Sequence, residues 1–555
     1  MQNKKLKVLM VSEASFLSSG FGTYTKEILS RLHATDKYEI AEFACYGKVN
    51  DPKDKDIHWR YYANAVGNED PRSKEYNSSM ENQFGRWRFE RVLLDFRPDV
   101  VIDVRDYWMN SYQQFSPLRP FFHWILMPTV DSAPQQEDWI DTFIHADAIF
   151  TYSDFGRDTL ADQSNNKINY IDTTSPGVSL DVFKPLPNRD QLRKTLGVDD
   201  KFIIGGVMRN QKRKLIPELF AAFKQLLNKM QEENNPMGEK LFLHLHTSYP
   251  DAGWDLPKLL KEYEVGNRVL FTYSCKNCGF FRPCLYQHPL SICPKCGNKS
   301  FSMPNVSSGL SQTDLNVILN TFDFYVQYAI CEGFGMPQVE AGSAGVPIAS
   351  VDYSAMNDVV HKLNGYPIKV NQYFKELETQ AIRVYPDNND FVEIVHKYLG
   401  LPDILKQQKR HETRQLVEKY YNWDNIAKKW ENYLDNVTLT GMQGKWDQKL
   451  PLIQPTGNLD KDGNPYDVLM NWISSNIPKY HQLNTSISVL NMIRNLDYNF
   501  VINGMQTQNY DLNNVKENLE VMINNHNTAM MAKDDPSKMP QEDYIHYANM
   551  KDQTK

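Results

Sequence analysis

No stretch of this 555-residue sequence stays apolar for the roughly 20 residues that a membrane-crossing helix needs. The opening MQNKKLKVLMVSEA is too short in its apolar part for a secretory leader with a cleavage site, and reads instead as a first strand. With no such address, the expected location is cytoplasmic. Excess positive charge is missing too: 61 Lys and Arg stand against 68 Asp and Glu, a net charge of −7. That excludes a general electrostatic pull toward nucleic acid or an anionic membrane, and leaves a local basic groove open. Cysteine is scarce. Of seven, four fall in two Cys-x-x-Cys pairs, which favours a metal over disulfides and fits a reducing compartment. The dinucleotide fingerprint G-x-G-x-x-G does not follow the first strand.

What is present is an ordinary globular composition, 41% hydrophobic and 23% charged, long enough for about two to four domains. Strand-length apolar runs alternate with helical spacing. Lys7–Ser12 predicts a strand, Ser18–Gly22 a glycine loop and Thr23–Leu32 an amphipathic helix. Further strands are expected at Glu39–Tyr46, Asp99–Asp103, Trp124–Met127, Ala148–Tyr152 and Ile168–Ile171, with a helix over Phe84–Phe96. The charged, Asn-rich stretch 47–80 predicts an elaborated surface region. A second series begins with a strand at Lys201–Met208 and a helix at Leu215–Lys229, with Pro217 in its opening turn. Strands at Leu241–Leu245, Val269–Thr272, Phe324–Gln327 and Val346–Val351 follow. Repeated strand-then-loop units predict α/β architecture with doubly wound, mostly parallel sheets, whose ligands gather beyond the carboxyl ends of the strands. His123 lies among aromatics and fits a packed histidine, and His244 and His246 alternate with leucines.

The densest chemistry lies in 328–351, YAICEGFGMPQVEAGSAGVPIASV. A loop, Glu332-Gly333-Phe334-Gly335, enters a helix through Pro337. Small residues at Gly333 and Gly335 let a ligand approach the backbone, and the helix start offers free N–H groups to an anion. Glu332 and Glu340 bracket this cradle. Two carboxylates would repel a bare phosphate but suit sugar hydroxyls, so the segment fits a nucleotide with a sugar at each end. A Gly-rich turn of no special function is the plain alternative. The run Arg209-Asn210-Gln211-Lys212-Arg213-Lys214 puts cations at a strand end, where a diphosphate could be held. Within it, Lys212 and Arg213 are expected to face water.

The clustered cysteines read C-K-N-C-G and C-P-K-C-G, with fourteen residues between the inner pair. Cys275, Cys278, Cys293 and Cys296 thus form a zinc-ribbon pattern, two knuckles enclosing a tetrahedral ion. Four thiolates leave no position for substrate, so this zinc is expected to be structural. A redox role for the pairs is the lesser alternative. Beyond residue 434 the sequence turns linker-like, then offers helical spacing at Tyr466–Ile477, Thr485–Leu496 and Leu512–Met530, with a polar end at 533–555.

E-G-F-G-M-P-Q-V-E resembles the Glu-x7-Glu signature of retaining GT-B glycosyltransferases of the GT4 (glycogen-synthase-like) type. T-Y-S-D-F-G-R resembles that family's serine-containing segment, and S-P-G-V-S-L-D-V-F-K-P its domain-closing segment, with Pro176 and Ser179 replacing the usual Asn and Asp. The resemblance covers roughly residues 5–437 apart from 273–305, which looks inserted.

The resemblance implies two Rossmann-like domains facing across a cleft. Residues 1–185 form the acceptor side, joined by a helix returning near 422–437, and 186–421 bind the nucleotide sugar. The zinc ribbon is inserted at 273–305, and a helical extension occupies 440–555. It implies that Glu340 holds the ribose and Glu332 the donor sugar, with amides of Gly333, Phe334 and Gly335 near sugar and phosphate. Arg209 and Lys214 correspond to the pair that stabilises the departing diphosphate. Gly20 and Gly22 line the cleft, or simply cap the helix. Asp131 stands where many members have a histidine that contacts the donor sugar; an ordinary strand-end aspartate is the alternative. The implied activity is transfer of a hexose, with retention, from a UDP- or GDP-sugar to an acceptor hydroxyl without a catalytic metal. The acceptor is left open among saccharide, lipid-linked glycan, protein and a hydroxymethylated DNA base reached by flipping. A noncatalytic zinc-containing nucleic-acid-binding protein is the second reading, and oligomeric state is not legible.

Overall fold

The computed structural model describes residues 4–48, 51–287, 289–305, 308–439, 443–449, 524–525 and 527–535. Its strands fall into two main sheets, each the centre of a Rossmann-like α/β domain. The first sheet holds β1 (Leu6–Glu13), β2 (Tyr38–Lys48), β3 (Arg60–Ala65), β4 (Val100–Asp103), β5 (His123–Leu126), β6 (Ala148–Thr151) and β7 (Tyr170–Thr173). They run parallel in the order β3-β2-β1-β4-β5-β6-β7. Val8, Leu9, Met10 and Val11 of β1 are all buried, as a strand covered by helices on both faces requires. The chain winds outward from β1 to β3 and then returns to β4, so the order reverses between β1 and β4. Such a switch point opens a crevice at the carboxyl ends of the two strands.

The second sheet repeats the plan with β8 (Phe202–Val207), β9 (Leu241–His246), β10 (Val269–Cys275), β14 (Phe324–Gln327), β15 (Ile348–Val351) and β16 (Tyr366–Ile368). These run parallel in the order β10-β9-β8-β14-β15-β16, which puts the switch point between β8 and β14. β10 continues past the sheet into β11 (Phe281–Leu285), β12 (Ser291–Ile292) and β13 (Lys299–Ser302), short antiparallel strands; Cys275 ends β10, and Cys278, Cys293 and Cys296 lie in the turns between strands. The small module shares the core of its host domain. Cys275, Cys293, Phe301 and Met303 join the same buried cluster as Leu243, Phe271 and Phe391 of the host domain.

A separate hairpin, β17 (Val370–Lys375) and β18 (Ile382–Pro386), leaves the second domain and reaches the first. The Ile382 amide donates to the Ala133 carbonyl at 3.0 Å. The helix Trp423–Asn436 crosses back and completes the first domain. Its Trp430 indole donates to the Tyr24 hydroxyl at 2.8 Å, and its ring lies 4.2 Å from that of Phe150. Gly177 lets the Trp423 ring approach: a Cβ there would lie 2.7 Å from it.

One expectation fails in the stretch 47–80, which contains the edge strand β3 rather than surface elaboration alone. The Asn64 amide satisfies carbonyls of Asn82 and Gln83 and accepts from the Trp87 indole, so the polar segment after β3 is packed. Two of the helices expected in the tail, Tyr466–Ile477 and Thr485–Leu496, lie outside the described residues. Within the third, Leu512–Met530, the described residues 524–525 and 527–530 are helical. The helix here packs on the first domain, where Met530 is buried and Lys533 donates to the carbonyls of Trp446 and Gln448. No described helix is long and apolar enough to cross a membrane.

Candidate functional site

The switch point of the second sheet gathers most of the residues singled out from sequence. β8 delivers the cationic loop, and its last three residues, Lys212–Lys214, make a tight turn. β14 delivers Glu332, of which only 5% is exposed. The Lys214 ammonium pairs with one Glu332 oxygen in a short contact, and Arg213 Nη1 donates to the other at 3.0 Å. Gln327 adds a bond at 2.9 Å, itself held by the Tyr325 hydroxyl at 2.7 Å. Burial works to raise the Glu332 carboxyl, but Lys214 and Arg213 overcome it and hold the group well below the usual carboxylate range. Burial lowers Lys214, with Glu332 opposing. The cluster therefore carries two cations and one anion, with room in its charge balance for a second anion.

Arg213 pairs with Glu332 while 42% of its side chain stays exposed, so the expectation that it faces water holds in part. Arg209 is placed differently. It is half-exposed and forks onto Asp251, Nε to Oδ2 and Nη2 to Oδ1, both at 3.0 Å. The Arg209 fork holds the Asp251 carboxyl at about 2, with Ser248 and the Ala252 amide also donating to it. The sequence offered no pointer to Asp251, which comes from the loop after β9. Sequence proximity to Lys214 was the one available hint for Arg213.

Glu340 lies on the helix Met336–Ser343 that follows the loop. Among the described residues its carboxylate has no hydrogen-bond partner. It is partly open to solvent yet deep among protein atoms, and burial pushes it up to about 7. Gly335 has φ +83°, a left-handed conformation that favours glycine, and Pro337 sits in the first helical turn as expected. At Gly333 the space is used by the protein itself: a Cβ would lie 2.4 Å from the Thr129 γ-carbon of the first domain. The Phe334 ring packs against Tyr421 at 5.5 Å, leaving only its backbone toward the loop.

Three residues of the first domain complete the set. Gly20 and Gly22 occupy the first turn of the helix Gly20–Ala34, capped by the Ser19 hydroxyl. A Cβ at Gly22 would meet the carbonyls of Leu17 and Ala14 at 2.6 and 2.8 Å, so local packing demands glycine there; at Gly20 the space is open. Asp131 is fully engaged. It accepts from Arg383 of β18 at 2.9 Å, from the Ser132 hydroxyl at 2.9 Å and from the Cys331 thiol at 3.3 Å. It is therefore a tie between the domains. His123 is a packed residue bonded to the Tyr433 hydroxyl at 2.7 Å. His244 is likewise buried, bonded to Thr272 at 2.9 Å and held neutral by burial at about 3.

The four clustered cysteines bring their sulfurs within 4.8 Å of one another. Cys275–Cys296 and Cys278–Cys293 are 3.6 and 3.7 Å apart, far beyond a disulfide bond. A tetrahedral ion with Zn–S of about 2.3 Å would separate its sulfurs by about 3.8 Å, so the cluster fits zinc. Gly279 and Gly297, at φ +68° and +73°, shape the two knuckles, and the Lys295 amide and Asn298 side chain donate toward the thiols.

No protein-family model and no curated protein matches this chain. Solved structures do. Sucrose-phosphate synthase from Thermosynechococcus elongatus superposes with a TM-score of 0.54 at 17% identity, over 78% of this chain and 98% of that one. A glycosyltransferase from Rickettsia africae gives 0.51 at 12% identity, over 78% and 98%. Anabaena HepE, solved with UDP and glucose, gives 0.52 at 12%, over 78% and 100%. The shared feature is the fold, two Rossmann-like α/β domains.

Proposed function

We propose that this protein is a retaining glycosyltransferase that moves a hexose from a UDP- or GDP-sugar to an acceptor hydroxyl. The observation that carries the reading is the charge pattern at the second switch point. Lys214 and Arg213 share a single carboxylate, Arg209 stands close by on the same loop, and Glu340 is left without a partner among the described residues. A diphosphate supplies the missing anion and lowers the cost of the buried Lys214 charge. Glu340 accepts hydrogen bonds from the ribose hydroxyls, and Glu332 orients the donor sugar and Lys214 together. The amides of Gly333, Phe334 and Gly335 lie toward sugar and phosphate, and Gly20 borders the cleft. As the bond from C1 to the phosphate oxygen breaks, the nucleoside diphosphate leaves with the electron pair, and the cations stabilise the charge that develops there. The acceptor oxygen bonds C1 from the same face, and its proton passes to a leaving phosphate oxygen. Retention and the choice of base rest on the family resemblance; HepE, of the same fold, has been solved with UDP and glucose.

The donor-binding unit is taken as 186–421 and the acceptor side as 1–185 with the returning helix. Zinc held by Cys275, Cys278, Cys293 and Cys296 would order the inserted ribbon 273–305 and take no part in transfer.

The test is calorimetry with UDP-glucose and GDP-mannose, followed by turnover. K214A is expected to lower kcat by about 10²–10³-fold, as loss of a charge-stabilising donor does. E340Q is expected to weaken donor binding about tenfold. If wild type binds neither donor, the reading is wrong, and a noncatalytic role takes its place.

A further inference from the structure

We propose that the acceptor is an uncharged saccharide, seated at the switch point of the first sheet with a sugar ring on Trp108 and hydroxyls on Asp106 and Glu13. This rests on the transferase reading and names the substrate class it leaves open.

The first sheet has its own crevice, between the carboxyl ends of β1 and β4. β1 ends at Glu13, and β4 runs through Asp103 into Arg105, Asp106, Tyr107 and Trp108. Trp108 is 49% exposed, although two large aromatic rings meet beside it. Tyr107 stacks on Trp139 at 5.2 Å, and Trp139 meets Trp108 at 5.8 Å and 60°. The indole is thus braced from one side and open on the other. An open indole at a strand's carboxyl end is not explained by packing, and offers the flat apolar surface against which a pyranose ring lies.

Two residues before it lies Asp106, which has other carboxylates near it. Burial, with the charges of Asp131 and Glu13 adding to it and Arg105 opposing, pushes Asp106 up to about 6. The Thr129 hydroxyl lies close enough to favour the charged form, though no bond of good geometry links the two. Thr129 in turn abuts Gly333 of the donor loop, so Asp106 stands one side chain away from the proposed donor. Near them lies Tyr152, 6% exposed, whose buried hydroxyl has no partner among the described residues and is within electrostatic reach of Asp106 and Glu13. Asp131 is neutralised by Arg383, but Glu13 and Asp106 have no cation paired with them among the described residues.

Carboxylates that accept, beside an aromatic face, match a neutral polyol. A nucleobase could also stack on Trp108, but its flanking phosphodiesters would meet Glu13 and Asp106. The charge therefore selects the saccharide. In the transfer, Asp106 accepts the hydrogen bond of an acceptor hydroxyl and ends as it began, because the proton leaves on the diphosphate.

The test uses the full chain with UDP-glucose and GDP-mannose. It compares neutral oligosaccharides (maltose, cellobiose, mannobiose), their phosphorylated counterparts, and duplex and single-stranded DNA containing 5-hydroxymethylcytosine. Transfer to a neutral saccharide is expected. W108A should raise the acceptor KM about tenfold or more with donor affinity unchanged, and W108F should restore most of it. D106N should raise the acceptor KM and flatten the fall of transfer rate below about pH 6. Transfer only to DNA or to phosphorylated sugars overturns the assignment, as does an unchanged acceptor KM in both variants. If neither donor binds, the transferase reading falls. Quenching of Trp108 fluorescence by saccharide, absent in W108A, still judges the acceptor seat by itself.

Discussion

Glu332 and Glu340 stand eight positions apart, yet their surroundings give them opposite character. Glu332 is ionised by two cations, and K214A should remove one of them while Arg213 and Gln327 stay bonded to it. That loss is expected to cost about 1–3 kcal/mol of unfolding free energy, read from urea denaturation. Glu340 has no such partner among the described residues. Its carboxyl titrates near 7 in the folded protein and at 4.5 in an exposed chain, so the folded state holds the proton longer. Between those values stability falls as pH rises, and E340Q should flatten the slope in thermal melts. Donor affinity should run the other way, weakening as pH drops through about 7, because only the carboxylate accepts from both ribose hydroxyls. The spacing of this pair was legible in the sequence because a loop and one helical turn fix it. The partner of Arg209 was not, since Asp251 arrives from a different strand. Nor was the pairing of Arg213 with Glu332, which depends on a short turn and a carboxylate more than a hundred residues away.

At the scale of elements, strands with unbroken apolar runs such as β1, β8 and β14 could be read directly. β3 could not, because its Asn64 is paid for by carbonyls and an indole that only the folded segment 82–87 supplies. The cysteine spacing made the ribbon legible as a metal module. Its role as an extension of the host core became visible only through Cys275, Cys293 and Phe301. Chelation should therefore remove one zinc per chain and loosen the second domain as well as the ribbon. Tm is expected to fall by about 2–4 °C for each kcal/mol lost in a domain of this size. The same fall is expected for C293S, with metal content measured alongside. A folded, zinc-free chain with unchanged Tm would show that the cysteines do not hold the module together. The loop after β9 touches the ribbon through Tyr249 and Tyr286, 6.2 Å apart, so the ribbon's order also bears on Asp251 and hence on Arg209.

For the whole molecule, the two sheets are tied at the cleft by Arg383, which bridges Asp131 of the first domain and Glu376 of its own hairpin. The main-chain bond from Ile382 to Ala133 runs beside it. R383A should relax this closed arrangement and enlarge the radius of gyration in small-angle scattering, while each domain keeps its own stability. An unchanged scattering curve would remove Arg383 from that role. The two-domain plan was readable from the alternation of strand and helix. The hairpin that links the domains was not, because its contacts depend on how the cleft is set.

The return of the helix Trp423–Asn436 fixes an order of birth. The domain whose strands leave the ribosome first is the last to be finished, because Tyr24 and Phe150 await Trp430. Until then its apolar surface stays open on the nascent chain, exposed to chaperones or to a neighbouring polysome, while the later-made domain can already close. A chain stalled near residue 185 should therefore be cleaved readily by protease, and resistance should appear only once residue 437 has emerged.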